Sequence, residues 1–427
     1  MIRSPQTRVS TVVAWVAAGF AVLLCGAGAS AQVAPDGVWT GAAQVNGQPV
    51  PFRLIVSGSG DAVHGTLVNG TQRSPSSSGS YTDGHLVLQF ATYANTLEAD
   101  LQDGVLTGTF GRNGHTVPLT GRRNAAQPAA SPHPPQIAGV WEIAVNGPKG
   151  EHAWMLRVRQ TGARVDAVIE RIDGDTGNLY GVWQDGRFAV SHFTAAGPSY
   201  AVLEPQTDGT LHVVTFAHGG ATQVLTARRP QVAQAEGLAG PDDPLHHTAL
   251  ENPRAPLAFR FPNLSGRLVA ASDAEFRHKV LIVSIGGSWC PNCQDEAPFL
   301  ESLYRTYHSR GLDIVELSFE EASQLQNPTR LKAVIQKFGI TYPVLLAGTP
   351  DQLDEKFPGV VNLNCWPTTF FIGRDGLVKA IHTGYAGPAT GVDNAALERE
   401  TIALVQRLLA GDERSIGVST LQVARAQ

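Results

Sequence analysis

The run Val280-Leu281-Ile282-Val283-Ser284-Ile285 leads through Gly286-Gly287-Ser288 into Trp289-Cys290-Pro291-Asn292-Cys293. An apolar run of this length predicts a buried strand. The segment that follows, Gln294-Asp295-Glu296-Ala297-Pro298-Phe299-Leu300, predicts a helix. A buried strand turning directly into a helix commits this part of the chain to an α/β arrangement. It also puts the first cysteine at a helix N-terminus, where free N–H groups and the helix dipole favour a thiolate. The second cysteine lies one turn on, within reach of a mixed disulfide formed on the first.

Zinc sites also use two cysteines at this spacing, but they need two further ligands. The other cysteines, Cys25 and Cys365, each stand alone, and His246-His247 are adjacent and not at ligand spacing. A redox pair with no metal is therefore the reading that the spacing favours.

A chain of 427 residues exceeds one core, so two to four domains are expected. With 43% hydrophobic and 16% charged residues it reads as globular. A net charge of −5 without a basic cluster argues against a nucleic-acid partner. Arg3 and Arg8 precede an apolar run from Thr11 to about Gly28, and Ala29-Ser30-Ala31 follows. This is the pattern of a secretory signal whose cleavage leaves Gln32 first. An uncleaved membrane anchor is the alternative, which would keep the protein close to a membrane. Leu24 before Cys25 is too bulky for a lipidation site. Cleavage would leave three cysteines, Cys290, Cys293 and Cys365, one pair and a leftover, which is not a structural disulfide framework.

The N-terminal half repeats itself at an offset near one hundred residues. Gly37-Val38-Trp39 recurs as Gly139-Val140-Trp141, and Val45-Asn46-Gly47 as Val145-Asn146-Gly147. Asp83-Gly84 matches Asp185-Gly186, Asp103-Gly104 matches Asp208-Gly209, and Thr120-Gly121-Arg122-Arg123 matches Thr226-Ala227-Arg228-Arg229. This is a tandem duplication of a small module. Short, partly alternating segments such as Phe52–Val56, His85–Phe90 and Val105–Phe110, separated by Asn-Gly and Asp-Gly, predict antiparallel meanders. About eight strands per copy would suit a small closed barrel or a sandwich. The opening Gly-x-Trp and closing Arg loosely resemble lipocalin-like barrels. The resemblance implies that Trp39 and Trp141 plug one end and an Arg packs on each.

From about Leu257 strands and helices alternate. Leu312–Phe319, Tyr342–Leu346, Thr368–Ile372 and Leu377–His382 read as strands, the last two as a hairpin around Arg374-Asp375-Gly376. Arg330–Phe338 and Ala395–Leu409 read as helices, giving an α/β domain with a mixed sheet.

Trp-Cys-x-x-Cys, then Glu296-Ala297-Pro298, then Trp366-Pro367-Thr368-Thr369-Phe370-Phe371-Ile372 and Arg374-Asp375-Gly376 follow in order. The series resembles the thioredoxin fold and, within it, the TlpA/ResA-like secreted thiol–disulfide oxidoreductases. Phe259–Gly266 is similar to that group's entry segment. The resemblance implies that Cys290 is the attacking thiolate and Cys293 the resolving thiol. It implies further that Pro367 is a cis-proline beside the site, with Trp289 and Trp366 contacting substrate. Glu296 matches a helix carboxylate that can take the Cys293 proton; its bland alternative is a solvated helix residue. Thioredoxin's own acid position is Ser284 here, and the intervening pair is Pro291-Asn292. Cys365, two residues before Pro367, is expected near the pair and reads equally as an inert buried thiol or as a redox partner or metal ligand. Glu320-Glu321 read as a solvated loop, His382 as structural, and Gly384 as a point of close backbone approach.

The expected organisation is a signal peptide (1–31) and β modules over 32–123 and 137–229, joined by a Pro/Ala-rich linker (124–136). A second linker (230–256), a thioredoxin-like domain (257–412) and a tail (413–427) follow. The function expected is periplasmic or secreted disulfide reduction. It would need no bound cofactor beyond the Cys290–Cys293 disulfide, a protein thiol or disulfide as substrate, and a membrane thiol relay as electron donor. A copper or thiol-metal chaperone using Cys290, Cys293 and Cys365, and a partner-binding protein with redox-regulated docking, are the alternatives. The peroxidatic pattern Pro-x-x-x-Thr-x-x-Cys is absent.

Overall fold

The computed structural model describes residues 34–112, 114–125, 129–216 and 222–411. The expected signal segment, Cys25 and the C-terminal tail lie outside the described residues.

The first module is one nine-stranded antiparallel sheet. Its order runs Gln72–Pro75, His64–Asn69, Gln48–Ser57, Gly37–Val45, His115–Arg123, Val105–Arg112, Asn95–Gln102, His85–Phe90, Ser78–Thr82. The hairpins follow from their turns: Asn46-Gly47, Asp83-Gly84 and Asp103-Gly104 all take positive φ at both positions, the type I′ geometry that matches strand twist. The antiparallel meander is as expected, and of the forms it could take this copy is a half-barrel, since the sheet does not close by strand pairing. Its two edge strands are consecutive, and Ser76 and Ser77 bridge the gap by donating to Gly65 O and Gln89 O (both 2.7 Å).

The second module does close. Eight strands between Gly139 and Arg228 form a ring, completed by Ala153–Thr161 pairing with Arg164–Arg171. A ninth short strand, Gly174–Asp175, turns back onto the end of Arg164–Arg171. Where the first copy has the tight Asn46-Gly47 turn, the second has a longer loop, 145–152, between its first two strands.

The Trp plugs are as the barrel resemblance implied. Trp39 and Trp141 are buried, each indole N–H donating to a carbonyl four residues back, Pro35 and Ile137 (2.8 Å each). Arg123 lies 5.2 Å from the Trp39 ring centre and Arg229 3.7 Å from that of Trp141. The two modules share a core. Phe193 of the second packs against Phe52 and Phe110 of the first, with ring centres 5.7 and 4.9 Å apart.

The second linker is partly folded. Pro230–Ala235 is a short helix with proline in its first turn, where no N–H is missed, and Ala249–Leu250 pairs with Val360–Val361. The Pro-rich elements beyond Pro241 are non-helical, as expected.

The C-terminal sheet has the order Val344–Gly348, Leu312–Phe319, Val280–Gly286, Thr368–Ile372, Val378–Thr383. Its first three strands are parallel and the last two antiparallel. Helices Pro291–Tyr307, Thr329–Phe338 and Val392–Leu409 cover it. The described residues form two all-β modules followed by a thioredoxin-like α/β domain. No described helix is long and apolar enough to cross a membrane.

Candidate active site

Val280–Gly286 is buried along its whole length and ends at the turn carrying the cysteines, so the sheet fixes where the helix starts. Cys290 is the N-cap of helix Pro291–Tyr307. Its sulfur accepts the Cys293 N–H at 3.2 Å, and Pro291 fills the first turn. This places sulfur where helix N–H groups are unsatisfied, the setting expected of a reactive thiol. The Cys290 thiol also points at Trp366 O, 3.6 Å away, and the Trp366–Pro367 bond is cis. Trp289 and Trp366 meet edge to face at 5.5 Å, and the Trp289 indole donates to Phe319 O at 2.9 Å. Cys290, Cys293, Trp289, Trp366 and Pro367 are therefore gathered at one end of the sheet.

Cys293 is partly buried, and its thiol is held well above the usual range, first by burial and then by the hydrogen bond and charge of Cys290. Below it stands Glu296, which is buried and not solvated. Its carboxyl accepts from Ser284 Oγ at 3.0 Å and from Thr369 Oγ1 at 2.7 Å. Burial pushes it up to about 7, against the opposing pull of those two hydrogen bonds. Ser284 and Thr369 are direct partners across neighbouring strands, so register alone delivers both hydroxyls to one carboxyl.

The same register adds a residue that the sequence reading did not single out. Ser284 also pairs with Glu316 on its other side. A Cβ built on Gly286 would lie 3.3 Å from the Cys293 sulfur and 3.9 Å from Glu316 Oε1, so thiol and carboxyl border one small space. Burial, with the charges of Glu320 and Glu296, pushes Glu316 up to about 8. The available signal was a lone acid inside the apolar run Ile314-Val315-Glu316-Leu317.

Glu320 corrects the expectation of a solvated loop. It is fully buried and accepts from Ser288 N (2.7 Å), Ser288 Oγ (2.8 Å), Ser318 Oγ (2.9 Å) and Arg330 Nη2 (2.8 Å). Arg330 reaches in from the helix Thr329–Phe338 and bonds Ser288 Oγ as well (2.7 Å), so donors on two elements meet the carboxylate. The cluster anchors the turn just before the cysteines. Glu321 pairs with Arg330 and with Arg112 of the first module (2.7 and 3.1 Å).

Cys365 is buried, donating to Asn364 Oδ1 (3.2 Å) and 3.7 Å from His247 Nε2. Burial pushes its thiol up to about 12. Among the described residues no three His, Cys, Asp or Glu side chains are grouped to hold a metal ion. Cys365 thus does not join Cys290 and Cys293 in a three-thiol cradle. His382 contacts Gly384 O through Nδ1 (3.0 Å), a structural role. Gly384 does permit a close approach, with φ at +75° and a Cβ that would stand 2.3 Å from Ile172 O of the second module.

Residues 253–381 match the AhpC/TSA family. A stretch of 126 residues is 29% identical to the thiol-disulfide oxidoreductase ResA of Geobacillus kaustophilus (strain HTA426), covering 30% of this chain and 66% of ResA. The chain thus spans just under two thirds of the length of that relative. The thioredoxin-like protein YneN of Bacillus subtilis (strain 168) is 24% identical over 183 residues, 43% of this chain and 92% of YneN. Among solved structures, a thiol:disulfide interchange protein of the thioredoxin family from Chlorobium tepidum TLS aligns over 36% of this chain and 94% of its own, at 24% identity and a TM-score of 0.28. StoA from Bacillus subtilis aligns over 34% and 98%, at 20% identity and a TM-score of 0.26. Taken with the strand–Cys-x-x-Cys–helix geometry, the C-terminal part of this chain is a TlpA/ResA-like thioredoxin-like domain.

Proposed function

We propose that the protein is a thiol–disulfide oxidoreductase of the periplasm or cell exterior, working as a disulfide reductase. The observation that carries this reading is the Cys290 sulfur capping its helix with Cys293 one turn behind. The Cys290 thiolate attacks one sulfur of a substrate disulfide, and the other sulfur leaves as a thiolate. Cys293 passes its proton to Glu296 and attacks the Cys290 sulfur. The substrate leaves reduced, and the enzyme holds a Cys290–Cys293 disulfide. Glu296, poised near 7, suits a group that must accept a proton near neutral pH. Trp289, Trp366 and Pro367 border the approach to Cys290 and are the proposed substrate contacts. A protein disulfide is the proposed substrate, and a membrane thiol relay would return the electrons.

The test is the reduction potential of the Cys290–Cys293 pair, set by equilibration with glutathione or dithiothreitol buffers. A value near about −270 mV supports a reductase, and one near about −120 mV points to disulfide formation. Absence of any two-electron thiol couple would overturn the reading.

A further inference from the structure

The attacking thiol of an exchange enzyme has to be reached by a substrate sulfur, yet Cys290 is only 3% exposed. The groups that meet its motif from outside the C-terminal domain come from both β modules. Asn292, between the two cysteines, donates its side-chain N–H to Asp173 O at 3.0 Å. Gly387 N donates to Asp175 Oδ2 at 2.6 Å. A Cβ on Gly174 would lie 2.4 Å from Asn292 Nδ2 and 2.7 Å from Tyr385 O, and one on Gly384 would lie 2.3 Å from Ile172 O. The turn Ile172–Asp175 is therefore seated between the cysteine loop and the segment Gly384–Gly387, which continues from Pro367 through a Gly384 N to Pro367 O bond (2.7 Å). Lys149, from the loop that is longer in the second copy, forms an ion pair with Asp173, and its carbonyl accepts from Asn364 (3.1 Å). From the first module, Thr92 O accepts from Gln294 (2.8 Å), and the phenol of partly buried Tyr93 is pushed up first by burial, then by the charge of Asp295 and after it by those of Cys290 and Cys293, which places the ring beside the redox loop.

We infer that the turn Ile172–Asp175 occupies the place of a substrate segment at Cys290 and is the specificity-determining element of the redox site. While it is seated, a bulky protein disulfide is excluded; its departure opens the route. The inference rests on Cys290 being the attacking thiol. It gives the duplicated module a role in substrate selection, exercised through the Asp173 carbonyl on Asn292, the Ile172 carbonyl beside Gly384 and the Asp175 carboxyl on Gly387.

The experiment uses the full chain with Gly174→Gln, which wedges the turn away from Asn292, and Asp175→Ala, which removes the bond to Gly387 should the first variant fail to fold. Reduction of insulin disulfides is compared with reduction of oxidised glutathione. The insulin-to-glutathione rate ratio is expected to rise at least about tenfold in a folded variant. An unchanged ratio in folded protein whose Cys290–Cys293 couple still titrates overturns the inference alone. Loss of the couple in the parent chain overturns it together with the proposed function.

Discussion

Arg330 and Glu320 meet at 2.8 Å with both side chains at 0% exposure. Removing one partner of a buried pair leaves an uncompensated charge. Arg330→Met is therefore expected to cost about 3–5 kcal/mol in urea unfolding, whereas Arg330→Met with Glu320→Gln recovers a large part of it. Equal loss in the single and double variants would show that the pairing is not what matters.

Glu296 makes the pH profile predictable in sign. Its carboxyl is a proton acceptor only when ionised, so the rate at which Cys293 resolves a mixed disulfide should rise with pH through about 7. Glu296→Gln should flatten that rise, read by stopped-flow on a mixed disulfide of Cys290. The stability consequence runs the other way. The folded value, about 7, lies above the ordinary 4.5, so the folded state binds more protons in that window. This stabilisation is complete below about 4.5 and is lost as pH rises through 7, in total about 3 kcal/mol. Glu296→Gln should weaken the decline.

Cys365 is buried, its thiol is pushed up to about 12, and it donates to Asn364 rather than facing Cys290 or Cys293, so it is expected to take no part in exchange. Cys365→Ser should keep disulfide turnover within about twofold of the parent. A drop of a hundredfold, with the Cys290–Cys293 potential unchanged, would return it to the reaction.

Phe193 fills space lined by Phe52 and Phe110 of the other module. Phe193→Ala should cost about 3–5 kcal/mol, the usual penalty for truncating a buried aromatic ring. The loss should fall on the first module's strands, as hydrogen exchange at Leu97 and Leu106 would show.

Much of this was legible from residue order alone. Pattern and turn chemistry placed Leu312–Phe319 and His85–Phe90 with the observed bounds, because apolar runs and Asp-Gly pairs are local signals. The cysteine loop followed from the strand-to-helix pattern, and the cis Trp366–Pro367 bond and the Glu296 carboxyl beside the pair from a resemblance carried by several ordered motifs. Glu320 was misplaced because its partners Ser288 and Arg330 lie 32 and 10 residues away, and nothing local marks a carboxylate as paired. Glu316 was passed over for the same reason: its neighbour Ser284 is set by sheet register. The contact of Ile172–Asp175 with the redox loop joins residues more than a hundred positions apart, beyond any periodicity.

The shared Phe193 also bears on how the chain counts its own parts. Its sequence reads as three units strung on two linkers, but the first sheet is completed by a ring that it does not encode. A cut through the linker 124–136 would leave that sheet with an unfilled hollow and Phe193 stranded on a surface. The boundaries visible in the residue order are therefore those of the repeat, and the units that unfold together are expected to cross them.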